Sequence, residues 1–254
     1  MWKETVNLEP SITDARILLS RAVEVIPLSA ELWLALARLE TPEKAKSVLN
    51  KARKAVPTSH EIWIAAGRLL EQEAHAGQEE KKKTEEETNK ALELVDKTIE
   101  AGVRELRRHQ VLLTREQWLK EAEPCELEGS PRTCEAIVKA TVAMDVEEED
   151  RFDTWVGDVE SVEARRMMGI ARAVLACALK MFPDKKALWW RAAELEKAHG
   201  TRSVYLFYFD TRYSCLSSEG LSRAVLHCPQ AESLWLMAAK EMACWRRSWR
   251  TRSA

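Results

Sequence analysis

The chain is 254 residues long, 46% hydrophobic and 31% charged, and its 8 glycines and 8 prolines are too few for the many turns of an all-β fold. Its 39 basic and 41 acidic side chains leave a formal charge of −2, so no global field favours nucleic acid. The amino terminus carries no basic-then-apolar leader, and no apolar run reaches the roughly 18 residues that cross a bilayer, which predicts a soluble intracellular protein.

Trp2 stands where a first helix begins. A second helix follows in which Ala15, Leu19 and Ala22, spaced by four and then three residues, stack on one helical face. Pro27 cannot continue that helix and turns the chain. Six residues on, Trp33 opens another first helix, whose face runs on through Ala37 and Glu40. The series then recurs as Ala45, Leu49, Ala52, Pro57 and Trp63, where Glu71 weakly echoes Glu40. Small residues at two of these positions predict close approach by a neighbouring helix, with the leucine filling the space between.

After Trp63 comes Gly77 and then the charge-dense stretch 79–87, EEKKKTEEE, which has nothing apolar to bury and predicts an exposed extension or loop near 76–90. The remainder of this long interval reads as a lengthened turn through Arg104 to Thr114. Trp118 and Trp155 open two further first helices. The acidic run Glu147 to Asp150 lies just ahead of Trp155, where negative charge favours a helix N-terminus. Ala171, Leu175, Ala178, Pro183 and Trp189 then restore the full series, with Ala193 and Glu196 following. Residues 203–220, SVYLFYFDTRYSCLSSEG, hold all three tyrosines and break the pattern, with Ser217 where the series expects Ala. The segment reads as about a dozen inserted residues, either retained untranslated sequence or an aromatic binding element. Leu221, Ala224, Pro229 and Trp235 resume the series, and residues 242–254 abandon it as an irregular, non-native tail.

The tryptophans Trp2, Trp33, Trp63, Trp118, Trp155, Trp189 and Trp235 therefore mark about seven units over residues 1–241, at intervals of 31, 30, 55, 37, 34 and 46 residues. A helical hairpin takes about thirty to forty. The fold class expected is all-α, a right-handed superhelical solenoid of antiparallel helix pairs. Such a unit cannot bury its apolar face alone, so units stack, and the broad shallow surface they build suits gripping other proteins. Neither end carries a polar capping unit, so the chain reads as a piece of a longer array.

Chemistry was sought along the same chain. None of the phosphate-loop, dinucleotide, zinc-protease or nucleophile-elbow motifs occurs, so no catalytic residue, cofactor or metal is expected. Cys125, Cys134, Cys177, Cys215, Cys228 and Cys244 form no paired-ligand spacing and read as reduced core thiols. His60, His75, His109, His199 and His227 are scattered and read as surface or loop residues. The repeat phase of the tryptophans makes them core wedges rather than a stacking platform for bases. Trp190 differs, since its neighbour Trp189 forces it about 100 degrees round the helix, toward a groove or an exposed contact. Basic pairs are few, Arg107/Arg108, Arg165/Arg166 and Arg246/Arg247, which leaves RNA contact open but indirect.

The tryptophan, Ala four on and Glu seven on, followed by Leu, Ala and Pro, resembles the HAT repeat, a half-tetratricopeptide motif of RNA-processing proteins. Residues 14–22 (DARILLSRA), 31–41 (ELWLALARLET), 48–53 (VLNKAR), 115–119 (REQWL), 147–151 (EEEDR), 199–202 (HGTR) and 221–240 (LSRAVLHCPQAESLWLMAAK) resemble, more narrowly, the pre-mRNA-processing factor six family. The resemblance implies a nuclear protein-binding scaffold in pre-mRNA splicing that helps assemble or bridge the tri-snRNP. Its partners would be other spliceosomal snRNP proteins, with no membrane and no small-molecule substrate. Residues 203–220 and the missing flanking regions of the family put any particular contact in doubt. A HAT or tetratricopeptide adaptor in another RNA-processing complex, or a cytoplasmic peptide-binding adaptor, is the alternative. Asn7, Asn50 and Asn89 do not repeat in phase, which weighs against the peptide adaptor.

Overall fold

The computed structural model describes residues 12–79 and 85–199, and among them every regular element is a helix. In chain order these are α1 (Ile12–Val25), α2 (Ala30–Leu39), α3 (Pro42–Ala55), α4 (His60–Glu79), α5 (Glu85–Arg108), α6 (Arg115–Leu127), α7 (Pro131–Thr141), α8 (Arg151–Ala164), α9 (Met168–Met181) and α10 (Lys186–His199). Two compact units divide the chain, Met1–Met144 and Asp145–Ala254. The all-α class and the packing of helices in hairpin pairs stand as read from the sequence.

In the first unit α1 packs on α2, α2 on α3, α3 on α4 and α4 on α5, and short turns make consecutive helices antiparallel. The first helix α2 also touches the next first helix, α4. Leu19, Ala22, Leu32, Trp33, Leu36, Leu49, Ala52 and Ile62 form one buried cluster. Ala22 and Ala52 have no exposed surface at all, so any larger side chain there would push helices apart. In the second unit α9 packs against both α8 and α10, with Ala171, Leu175 and Ala178 buried in the same phase.

Two chemistries end six of the described helices. Where proline follows, the last amides close onto the final alanine: Ile26 N–H donates to Ala22 O (2.8 Å), Val56 N–H to Ala52 O (2.7 Å) and Phe182 N–H to Ala178 O (2.8 Å). Val56 and Phe182 then take nearly the same non-helical backbone, φ −128 ψ 74 and φ −126 ψ 64, because a residue ahead of proline is kept out of the helical region. At the ends of α5, α6 and α8 the chain leaves the helix through a left-handed residue. Gln110 (φ 58), Gly129 (φ 77) and Arg166 (φ 64) each sit in a paired cap, as where Arg166 N–H reaches Glu163 O and Met167 N–H reaches Val162 O.

The long interval between Trp63 and Trp118 is filled by helix lengthening. α4 has 20 residues and α5 has 24, against 10 and 14 for α2 and α3. Arg104 to Arg108, read from the sequence as part of a lengthened turn, belong to α5, and the connection is confined to the residues after Arg108. The charge-dense stretch is helical at its described ends, Glu79 in α4 and Glu85 to Glu87 in α5, because Glu and Lys are good helix formers even without an apolar face to bury. Its middle, with residues 203–220 and 242–254, lies outside the described residues.

Candidate partner-binding groove

In the second unit the first helices α8 and α10 leave an open groove of about 500 Å³ between them. Phe152 and Val156 line it from α8, and Lys186, Ala187, Trp190, Arg191 and Glu194 from α10. The two faces are in register: Phe152 stands three residues before Trp155 as Lys186 does before Trp189, and Val156 and Trp190 each follow their tryptophan. An aromatic cluster of buried Trp155 with half-buried Phe152 and Phe182 stands beside it. Phe182, in the proline turn, meets Trp155 and Phe152 edge-on with ring centroids 6.1 and 6.3 Å away. Trp190 is 40% exposed at the groove, its ring held by Nε1 donating to Glu194 Oε1 at 2.8 Å. Arg191 pairs with Glu163 across from α8. Lys185 lays its ammonium 5.6 Å over the Phe152 ring.

The repeat tryptophans occupy the interior. Trp33, Trp63, Trp118, Trp155 and Trp189 are all buried, as are Leu19, Leu49, Leu175, Ala22, Ala52 and Ala178. In two of the three described proline turns the proline-to-tryptophan spacing carries a hydrogen bond that periodicity did not suggest. Trp33 Nε1 donates to Pro27 O at 2.8 Å, and Trp189 Nε1 donates to Pro183 O at 2.7 Å, so each indole pins the turn that precedes it. Pro57 and Trp63 keep the spacing without the bond. Trp63 Nε1 is buried with no hydrogen-bond partner, its ring lies under the Arg53 guanidinium at 4.7 Å, and a Cβ on Gly102 would come within 2.7 Å of it. Trp2, Trp235, Leu221, Ala224 and Pro229 lie outside the described residues.

Glu71, read as a weak repeat echo, has a different role. It is 1% exposed and accepts from Arg132 N–H and Thr133 N–H (both 2.8 Å) and from Thr133 Oγ1 (2.7 Å). It thereby caps α7 from 61 residues away, where Ser130 at the cap position makes no side-chain bond of its own. Arg132 continues the network to Asp96 and Glu135, and Lys139 joins both. Burial pushes the Glu135 carboxyl up, against the opposing pull of Arg132 and Lys139. A periodicity search has no means of finding a long-range cap. The groove was legible in part, since the Trp189–Trp190 doublet singles out Trp190, but Phe152 and Lys186 emerge only when successive units are compared position by position.

Among the described residues no group of His, Cys, Asp and Glu could hold a metal ion. Burial pushes the Cys125 thiol up despite N–H contacts from Arg68 at 3.4 Å, and pushes Cys134 up further. His60 opens α4, 3.4 Å from Glu121 and edge-on to Trp118. The Glu147 to Asp150 run precedes α8, although Asp150 makes no side-chain cap bond. No described helix is long and apolar enough to cross a membrane.

Pinned hairpin turns, a repeating Ala/Leu/Ala face and a groove between successive first helices define a helical-repeat protein of the HAT and tetratricopeptide-like kind. No family model matches the chain. Over 107 residues it is 47% identical to Pre-mRNA-splicing factor prp1 of Schizosaccharomyces pombe, a match covering 42% of this chain and 12% of that protein. Pre-mRNA-processing factor 6 of Homo sapiens is 46% identical over 107 residues, 42% of this chain and 11% of its own length. Protein STABILIZED1 of Arabidopsis thaliana is 46% identical over 103 residues, 41% and 10% respectively. The resemblance to pre-mRNA-processing factor six stands over that stretch, and the chain matches only about a tenth of each relative's length.

Proposed function

We propose that this chain is a protein-binding scaffold in pre-mRNA splicing, a run of helical hairpins that holds spliceosomal proteins together. Identity of 47% over 107 residues to a pre-mRNA-splicing factor carries the reading. The fold supports it physically: within each unit the packed hairpins offer a preformed surface broad enough to hold another protein. In this proposal the chain works in the nucleus, its partners are snRNP proteins, and its finer role is to help bridge the tri-snRNP. It performs no catalysis, takes no cofactor or small-molecule substrate and meets no membrane. RNA contact is indirect, in keeping with a formal charge of −2.

The test is affinity purification of the tagged full chain from nuclear extract, with and without nuclease, read by quantitative mass spectrometry. Spliceosomal snRNP proteins should be enriched over a tag-only control in both arms. Recovery at the control level sinks the proposal, and recovery that vanishes with nuclease replaces protein binding with RNA tethering.

A further inference from the structure

We propose that Thr41 is a phosphorylation site, the acceptor of the γ-phosphoryl group of ATP from a proline-directed protein kinase. The inference stands on the turn between α2 and α3 and does not depend on the scaffold reading. Of the chain's 8 prolines, two follow a hydroxyl residue: Pro42 after Thr41 and Pro131 after Ser130. Each opens a helix that its hydroxyl neighbour does not cap. Access separates them. Ser130 is 2% exposed, at a helix start already capped by Glu71. Thr41, Pro42, Glu43 and Lys44 are all exposed. Thr41 has extended backbone, φ −65 ψ 153, because proline follows, and that is the form in which a kinase cleft takes its acceptor.

The residues after Thr41 select the class of kinase. A pocket that offers no acceptor for the amide following the target hydroxyl favours proline, which has no amide to strand. Kinases with such a pocket also favour a cation three residues after the acceptor, where Lys44 stands. The corresponding residue after Ser130 is Thr133, whose hydroxyl is bound to Glu71. The other charges of the turn are Arg38, Glu40, Glu43 and Lys46, of which Glu40 pairs with Arg16 and Lys46 with Glu73. Peeling back the first turn of α3 breaks backbone bonds such as Ala45 N–H to Thr41 O (2.8 Å), but it uncovers no buried side chain ahead of Ala45. Helix ends open in this way at small free energy. In the transfer Thr41 Oγ1 attacks the γ-phosphorus, the bond to the β–γ bridging oxygen breaks, ADP leaves, and the hydroxyl proton passes to the kinase's carboxylate base. The product carries about −1.5 to −2 of charge at the amino end of α3, where it supplies the cap that the hydroxyl does not.

The experiment incubates the purified full chain with ATP and a cyclin-dependent kinase, with a kinase that reads arginine three residues before the acceptor in a parallel arm, since Arg38 stands there. Tandem mass spectrometry maps the phosphate. The cyclin-dependent kinase should modify Thr41 and leave Ser130 untouched. Thr41→Val should abolish that phosphopeptide, Pro42→Ala should slow its appearance at least about tenfold, and Lys44→Glu should slow it too, each with circular dichroism matching the parent. Phosphorylation should slow hydrogen exchange at the Glu43 and Lys44 amides, and exchange left unchanged overturns the capping. The tagged chain recovered from cells under phosphatase inhibitors should carry phosphate on Thr41. Phosphate on Ser130 in place of Thr41, modification by the arginine-reading kinase alone, a rate unchanged in Pro42→Ala, or an unmodified Thr41 in the chain from cells overturns the proposal.

Discussion

Replacing Glu71 by alanine should be among the most damaging single changes in the first unit. Its carboxylate accepts three hydrogen bonds of 2.7–2.8 Å in a site 1% exposed, two of them from amides of the first turn of α7. Hydrogen bonds to a charged group contribute about 1.5–3 kcal/mol each, but desolvating the carboxylate offsets much of that sum. Its removal leaves two amides and a hydroxyl without that acceptor, at about 1–3 kcal/mol each, so Glu71→Ala is expected to cost about 3–5 kcal/mol. Glu71→Gln keeps one carbonyl acceptor and should lose about half as much, while Thr133→Val removes only the hydroxyl bond and should cost about 1 kcal/mol. Urea unfolding followed by far-ultraviolet circular dichroism reads the stabilities, and hydrogen exchange reads the Arg132 and Thr133 amides directly. A loss below about 1 kcal/mol in Glu71→Ala, with those two amides still protected, would refute the capping role.

The tryptophans should respond unequally to one substitution. Trp33→Phe and Trp189→Phe each remove an indole N–H bond, to the Pro27 and Pro183 carbonyls, whereas Trp63→Phe removes an N–H that has no partner, so the first two should cost about 1 kcal/mol more by thermal melting. Gly102→Ala places a methyl 2.7 Å from the Trp63 ring and should destabilise by about 1–3 kcal/mol, while Gly157→Ala, with nothing within 4 Å, should stabilise α8 by up to about 1 kcal/mol. Both are read as shifts in the denaturant midpoint. Arg166→Gly should gain about 1 kcal/mol by relieving a left-handed backbone, and a loss would show that the arginine side chain earns its place. Cys125 and Cys134, buried and with thiols pushed up by burial, should resist alkylation at near-neutral pH until the chain unfolds, which mass spectrometry of labelled peptides checks.

The fold class was legible because its signal is local. Ala45, Leu49 and Ala52 advertise a helical face by spacing alone, and Pro57 advertises the end of that helix by its missing amide. The relation between the proline and the tryptophan six residues on was visible as a pattern but not as a bond, since spacing does not reveal that an indole N–H reaches back to a carbonyl. What the sequence hid depends on contacts far apart in the chain. Glu71 capping α7, Gly102 admitting the Trp63 ring and Phe152 facing Lys186 all join residues that no short window holds together. Part of the extra length between Trp63 and Trp118 was also misplaced, because Arg104 to Arg108, read as a turn, continue α5.

Trp63's missing bond has a mechanical meaning. Indole pins at Pro27 and Pro183 tie each turn to the helix that follows, so the angle between those neighbouring helices is held by a strut as well as by packing. The Pro57 turn has no strut; its tryptophan has given up the carbonyl to lie between Arg53 and Gly102. Under a bending load the first unit should therefore yield at Pro57 before Pro27, a compliant joint beside a braced one, with the Ser59 amide exchanging faster than that of Ser29 as the measurable sign.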